Sequence, residues 1–533
     1  MIGALVLNDP DKQSKPLAKP LTPAREVWAI AWPTVMTMTS YTVMQFMDSL
    51  MVGQVGPLQV AAQGNGGIWT FVPLATMFGF ITVVNTYVSQ NLGAGTPEKG
   101  PKYAWAGLWM SLIMWVLVLI PMALLLPWIM SHTHDPQTVE HFDQLVKLES
   151  GYGQILLVGG IFTLSARTLH HFFFGLHRPK LVTISALVGN TVNALMNYVL
   201  IFGEQGLPQF GLPGIPGTPA LGLYGAAIGT VIGTTFEFAI PMVVFLGQKM
   251  NRELRTRSSW KPALKPMRDL LKLGWPAAVQ YGNELICWAI FMTALVGKFG
   301  EHHMTAGWIA LRYMHLSFMP AVGFSVAATS LVGKYIGAGQ PDVAAHRARL
   351  TLRLAVGYMT ICGLIFFLFR NELVAVFVGG TEVAPDARAE IILIGAKLMI
   401  CAAIFQTADA FGIVYSGALR GAGDTVWPGL MIMVYSWVFI VGGGIMMTKL
   451  WPQLESIGPW IGASAYIIVL GITMVWRFES GAWRSIKLLD ESERDAAGIA
   501  PIGPGVPAAM AEGSYRDLAE EIAESVSKSL PRK

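Results

Sequence analysis

The chain has 533 residues, 53% of them hydrophobic and only 13% charged, with a formal net charge of +4. Soluble chains carry about 25% charged residues, and apolar runs of about 20 residues, long enough to span a bilayer as helices, recur here, so a water-soluble globule is excluded. The small positive charge implies no nucleic-acid partner, because no basic stretch interleaves with aromatic residues.

Residues 1–26 form an N-terminal segment expected in the cytoplasm, and residues 1–20 lack a basic region followed by an apolar core and cleavage site, so no removable signal is expected. Twelve spans follow, at approximately 27–53, 64–91, 104–131, 149–174, 181–203, 221–247, 270–297, 305–334, 349–370, 391–419, 426–449 and 459–479. They divide into an N-lobe (27–247) and a C-lobe (269–480), joined by a linker at 248–268 and followed by a tail at 481–533. An even number of spans puts both termini on one side. Loops on that side carry roughly fifteen basic residues against about five on the other, which predicts cytoplasmic termini in an inner membrane. Lys249, Arg252, Arg255, Arg257, Lys261 and Lys265 around the linker form the densest basic group.

Cys287, Cys362 and Cys401 fall inside spans and read as apolar fillers. The loop histidines His132, His134 and His141 lack the spacing of a structural zinc site. In the tail, Leu518, Ile522 and Val526 recur at helical spacing after a Gly/Pro/Ala-rich linker; a loosely tied terminus is expected, with a partner-binding helix as the other reading.

Residues 52–97 return without gaps as 296–341. A shift of 244 places Gly53 on Gly297, Gly79-Phe80 on Gly323-Phe324, Gly93-Ala94-Gly95 on Gly337-Ala338-Gly339 and Pro97 on Pro341. Duplication in a membrane chain points to a transporter whose substrate sits between two halves.

MDSLMVGQVGPLQVAAQG at the end of span 1, SQNLGAG ending span 2, NYVLIFG closing span 5, LVGKYIGAG after span 8 and GALRGAGDTVWP between spans 10 and 11 resemble the multidrug and toxic compound extrusion (MATE) transporters, over about residues 25–480. The likeness is greatest to the bacterial NorM-type branch. It implies an all-α polytopic membrane protein, with twelve transmembrane helices in two pseudo-symmetric six-helix lobes around a central cavity. It also implies a secondary active antiporter that exports organic, often cationic, drugs and toxins in exchange for Na+ or H+. No cofactor and no metal beyond Na+ are expected; Na+ is the favoured coupling ion, the functional unit is a monomer in the lipid bilayer, and no enzymatic step is expected.

A carboxylate near mid-span costs about 2.5–3.5 kcal/mol on insertion scales, so each needs a reason. Glu284 in span 7 and Asp409 in span 10 come to comparable depth, where they can share a cation or proton. The resemblance implies that they form the C-lobe cation site. Some relatives carry tyrosine where this chain has Phe405, which removes a hydroxyl; Gln406 is retained. Asp48, late in span 1, is matched by the family pattern to Asn193 and Asn197, one turn apart in span 5, with Thr230 as a further ligand. Archaeal relatives have aspartate where Asn197 stands, so this N-lobe site is expected to hold a cation more weakly or to act as a protonation switch.

Arg312 in span 8 either snorkels to the outer interface or serves as a charge partner of Glu284. Arg167, His170 and His171, near the cytoplasmic end of span 4, read as interfacial anchors, and Glu237 in span 6 more weakly as a cavity-lining acid. Pro33 and Pro276, each following a Trp on an acid-bearing span, are expected helix flex points. A lipid-linked oligosaccharide flippase of the same superfamily is the alternative, although its cavity would be cationic. An embedded enzyme is disfavoured by the lack of HExxH, P-loop or Ser/His/Asp patterns.

Overall fold

The computed structural model describes residues 22–133, 142–207, 211–378 and 385–489. The expected tail helix around Leu518, Ile522 and Val526, and the loop residues His134 and His141, lie outside these. Among the described residues twelve long helices follow one another: α1 (Pro23–Gly53), α2 (Pro57–Gly93), α3 (Pro97–Thr133), α4 (Phe142–Gly175), α5 (Pro179–Gln205), α6 (Leu223–Leu246), α7 (Leu264–Phe299), α8 (Glu301–Gly337), α9 (Pro341–Leu368), α10 (Pro385–Ala422), α11 (Val426–Leu450) and α12 (Ile457–Glu479). Among the described residues there is no strand beyond an isolated bridge between Leu207 and Leu212. Proline opens several of these helices, where its missing N–H leaves no bond unmade.

Eleven of the twelve are apolar and long enough to cross a membrane. The twelfth is α1, whose Thr34, Thr37, Thr39, Ser40, Thr42, Gln45 and Asp48 dilute its apolar content. π turns interrupt α3, α5, α7 and α11 at Trp115–Leu119, Tyr198–Phe202, Phe291–Val296 and Ser436–Gly443. Pro33 and Pro276 are buried inside helices that continue through them. The hydroxyls of Thr37 and Thr183 both lie 2.8 Å from the Pro33 carbonyl and hold the chain at that point.

The apolar cores show how the lobes meet. At the end of the bundle where α1 and α7 begin and α2 and α8 finish, here the near end, the cores are shared. Val27, Ile30 and Ala31 of α1 are buried with Ala321, Phe324 and Leu331 of α8. Leu270 and Leu273 of α7 are buried with Val84, Tyr87 and Val88 of α2. Toward the far end the cores separate: one is built only from α7–α12 residues, such as Phe291, Ile394 and Trp460, and two only from N-lobe residues. The molecule is therefore joined at its near end and parted at its far end.

Glycine makes the near-end junction possible. A Cβ on Gly93 would lie 1.7 Å from the Lys334 carbonyl oxygen, and one on Gly337 would lie 2.0 Å from the Gln90 carbonyl oxygen. The linker, expected as a basic connector, packs on the N-lobe instead. Its short helix Gln248–Leu254 buries Met250 and Leu254 in the shared near-end core, and the indoles of Trp105 and Trp109 donate to the Thr256 and Trp260 carbonyls, each at 2.8 Å.

One ion-pair cluster ties the lobes at this end. Glu26, in the first turn of α1 just ahead of the apolar span, accepts from Lys334 Nζ at 3.0 Å, from the Tyr335 hydroxyl at 2.7 Å and from Arg347 Nε at 2.7 Å. Burial by itself raises its carboxyl, but Lys334, Arg347 and Tyr335 outweigh that and hold it at about 2 rather than the ordinary 4.5. A depressed carboxyl contributes stability that is complete above its unfolded value and is lost as pH falls through its folded one. Glu26→Gln should therefore lower the melting temperature of the purified protein at neutral pH, with the gap to wild type closing as pH falls from about 4.5 toward about 2.

Gly93→Ala and Gly337→Ala should each lower stability by about 1–3 kcal/mol through overpacking against backbone. Gly357→Ala, where no atom lies within 4 Å of the added Cβ, should be neutral or slightly stabilising. Thermal melts of the three variants check the contrast.

Candidate functional site

Toward the far end of the N-lobe, α1 presents Asp48, 9% exposed, to the buried Asn193 and Asn197 of α5. Asn197 Nδ2 donates to Asp48 Oδ1 at 2.6 Å. Asn193 Nδ2 donates to Thr230 Oγ1 of α6 at 3.2 Å, and the Thr230 hydroxyl donates to the Ala226 carbonyl at 2.9 Å. The other ends of both amides, Asn193 Oδ1 and Asn197 Oδ1, are buried with no hydrogen-bond partner. A buried acceptor without a donor costs about 1–3 kcal/mol, and two of them beside a carboxylate call for a positive ligand. Two α6 glycines make the room: a Cβ on Gly229 would sit 2.1 Å from Asn197 Oδ1, and one on Gly233 would sit 2.7 Å from Asn193 Cβ. The expected N-lobe set of Asp48, Asn193, Asn197 and Thr230 is thus brought together.

In the C-lobe, Glu284 of α7 accepts a hydrogen bond from the Tyr466 hydroxyl of α12 at 2.8 Å. Asp409 of α10 lies within electrostatic reach of both Glu284 and Tyr466. One turn before Asp409, Gln406 donates from Nε2 to Ser317 Oγ at 2.8 Å and leaves its buried Oε1 without a partner. The neighbouring Asn283 bridges to α11, donating to Ser436 Oγ and accepting from Trp437 Nε1, each at 2.8 Å. Phe405 is a core residue, 1% exposed. Tyr466 brings a hydroxyl to Glu284 from another helix, which the sequence did not signal because it sits in an otherwise apolar run.

One expectation is overturned, and for Arg312 the geometry favours one of two readings. Arg312 makes no ion pair with Glu284: it is exposed, with its guanidinium carbon 5.8 Å from the centre of the Phe377 ring. Nor do Arg167 and His170 anchor at an interface. His170 is 1% exposed and lies 3.6 Å from Glu237 Oε1, itself 6% exposed, while Arg167 covers the Tyr41 ring at 4.2 Å. The sequence reading placed span 4 by its apolar run and missed that this face turns inward. Cys287, Cys362 and Cys401 are free thiols. Among the described residues, no group of three or more His, Cys, Asp or Glu side chains could hold a metal ion.

An oxygen set of one carboxylate, two amides and a hydroxyl suits a hard cation such as Na+. Gly229→Ala would push the Asn197 amide away from Asp48 without removing any charge. It should weaken Na+ binding to the purified protein in calorimetric titrations, whereas Gly64→Ala, with nothing within 4 Å, should not.

Comparison with known proteins places these sites in context. The family model described as MatE matches residues 33–199 and 277–443, together more than half of the chain. The multidrug resistance protein NorM of Burkholderia vietnamiensis is 28% identical over 451 residues, covering 84% of this chain and 92% of that protein. Among solved structures, MATE in complex with MaL6 superposes with a TM-score of 0.76 at 18% identity, covering 88% of this chain and 98% of that one. An outward-facing multidrug resistance MATE family transporter of the MOP superfamily superposes with a TM-score of 0.73 at 18% identity, again covering 88% of this chain and 98% of the other.

Proposed function

The chain belongs to the MatE family, and from that premise we propose that it exports organic, often cationic, compounds in exchange for Na+ or H+ by alternating access. The observation that carries the coupling is the pair of buried, unpaired amide oxygens beside Asp48. With no cation bound, the Asn197 N–H satisfies the carboxylate. A cation replaces that donor when the amide turns its oxygen inward, so Asp48, Asn193, Asn197 and Thr230 close around the ion. One carboxylate makes a weaker cage than two, so the N-lobe site exchanges its ion readily.

Glu284 and Asp409 act as the second station. As two carboxylates in one lobe they can share a Na+ or a proton, and the Tyr466 hydroxyl adds to the oxygen set. Na+ is the favoured ion, because both stations are built of hard oxygen donors.

The near end faces the cytoplasm of an inner-membrane protein in this reading, so the parted far end opens outward. A cation entering from outside occupies Asp48 or the Glu284–Asp409 pair and favours release of drug, and the lobes then close at the far end. Ion and drug drive this cycle only if each binds the two states with different affinity. Pro33 and Pro276 are the positions at which α1 and α7 bend. A single chain suffices, and no catalytic step is involved. The alternative, a lipid-linked oligosaccharide flippase, would want cations for phosphate where this chain places Asp48, Glu284 and Asp409.

Combining Glu284→Gln with Asp409→Asn should abolish gradient-driven drug efflux from energised vesicles while leaving the protein folded. Wild-type efflux by that variant would remove the C-lobe site from the mechanism. Tyr466→Phe should weaken ion dependence without abolishing transport, and imposed Na+ and H+ gradients compared in the same vesicles identify the coupling ion.

A further inference from the structure

A second buried acid lies in the N-lobe, away from Asp48. Glu237 sits two turns along α6 from Thr230 and is 6% exposed. Gly189 of α5 clears its place, since a Cβ there would come within 3.0 Å of Glu237 Cβ. Four helices converge on it. Tyr41 of α1 donates its hydroxyl to Glu237 Oε1. His170 of α4 brings Nδ1 to 3.6 Å from that oxygen and 3.4 Å from the Tyr41 hydroxyl, while its Nε2 lies 3.3 Å from Ser185 Oγ of α5. Arg167, one turn before His170, holds its guanidinium carbon 4.2 Å from the Tyr41 ring centre and 5.3 Å from that of Phe78 on α2. The remaining charged groups nearby are His171 on α4 and Arg420 of α10 on its far side.

Counting hydrogens identifies what is missing. Ser185 Oγ lies 2.9 Å from the Val182 carbonyl and 3.3 Å from His170 Nε2 and has a single hydrogen; in the arrangement that gives this hydrogen to the carbonyl, the oxygen accepts from His170. The imidazole is then protonated on Nε2, and its Nδ1 lone pair faces Tyr41 and Glu237 Oε1. Two acceptors, Nδ1 and Oε1, confront each other with only the Tyr41 hydrogen between them. One added proton, on either Oε1 or Nδ1, completes the set.

We propose that Glu237, His170 and Tyr41 form a proton-binding site that regulates how firmly α1 is tied to the rest of the N-lobe. The ligand is H+, held as a neutral carboxylic acid donating to Nδ1 or as an imidazolium donating to Oε1. Either form gives the Tyr41 hydroxyl a neutralised or shared acceptor and loosens its hold on α1, two turns beyond Pro33 and two turns before Asp48. This rests on the antiport reading for its role in transport, but the site itself does not.

The test uses the full chain reconstituted in lipid nanodiscs, with pH as the only variable. In a chain carrying Asp48→Asn, Glu284→Gln and Asp409→Asn, pH-difference infrared spectra should still show a titrating carboxyl band of a buried acid, resolved from the band shared by the exposed Asp and Glu side chains. Adding Glu237→Gln, which keeps an oxygen acceptor for Tyr41, should erase it; in the otherwise wild-type chain, Glu237→Gln alone should remove the same component. His170→Gln should move its midpoint by about one pH unit or more. A band that survives Glu237→Gln, or none in the triple variant, overturns the site. In vesicles, Glu237→Gln should lose efflux driven by a pH gradient and keep efflux driven by Na+; equal loss of both assigns the residue a merely structural role. If the wild type shows no ion-driven efflux yet the Glu237 band titrates, antiport fails and the proton site stands.

Discussion

Backbone-to-backbone contact between the two lobes is the constraint on which the rest depends. Gly93 of α2 meets the carbonyl of Lys334 on α8, and Gly337 of α8 meets the carbonyl of Gln90 on α2. A shift of 244 turns either contact into the other, so the duplicated sequence builds its own pseudo-two-fold axis at the near end. A second pair obeys the same operation: Gly79 abuts Ala278 of α7, and Gly323 abuts Val35 of α1, next to Thr34, the partner of Ala278 by shift. Side chains of any size would hold these helices apart. Because the close crossings sit at one end only, the lobes can diverge toward the other, and the space between them follows from where glycine was duplicated. Hydrogen bonds cross the same seam, from Gln90 Nε2 to the Gly421 carbonyl at 2.9 Å and from Thr34 Oγ1 to the Gly323 carbonyl at 2.9 Å.

On that symmetric frame the polar groups are not symmetric. Asp48 falls by shift on Met292 and Glu284 on Ser40, so neither acid has an ionisable counterpart. The N-lobe surrounds one carboxylate with amides and a hydroxyl, whereas the C-lobe sets two carboxylates near a phenol. Apolar packing tolerates such divergence as long as volumes are kept. The backbone crossings do not, which is why glycines recur through the repeat and acids do not. Two sites of unlike charge and donor chemistry need not take the same ion, or take it in the same state.

The sequence carried the scaffold well, because helices in a bilayer must satisfy their own backbone and must be apolar for a fixed length. Even so, α1 counts as a span in the sequence although its apolar content is lower than that of the other eleven helices. Spacing within one helix was also legible: Asn193 and Asn197 face one way because they are one turn apart. What was not legible is which helix faces which. Tyr466 lies in an apolar run of α12 and gains meaning only where α12 meets α7. Arg167 and His170 looked interfacial from their position along α4 and are held inside by α1, α5 and α6. Arg312 looked close to Glu284 in depth, but rotation about the helix axis carries it to the exposed side. Depth can be counted along a chain; azimuth depends on neighbours that may be hundreds of residues away.

Helix α1 is where these threads meet. Pro33, Thr37, Tyr41 and Asp48 fall on one face of it, and that face docks on α5 and α6. α5 answers with Thr183 against the Pro33 carbonyl, and then with Ser185, Gly189, Asn193 and Asn197, spaced one turn apart, against His170, Glu237, Thr230 and Asp48. The result is a column of polar contacts from the proline to the far-end carboxylate, in which every ionisable group touches α1 directly or through one neighbour. At its first turn the same helix is fixed to the other lobe by Glu26. Helix α1 is thus anchored at one end by an ion-pair cluster and held along this face by hydrogen bonds, while Val27, Ile30, Ala31, Met38 and Val52 pack it into apolar cores. The same polar side chains are why α1 alone falls short of the apolar content of the other eleven helices.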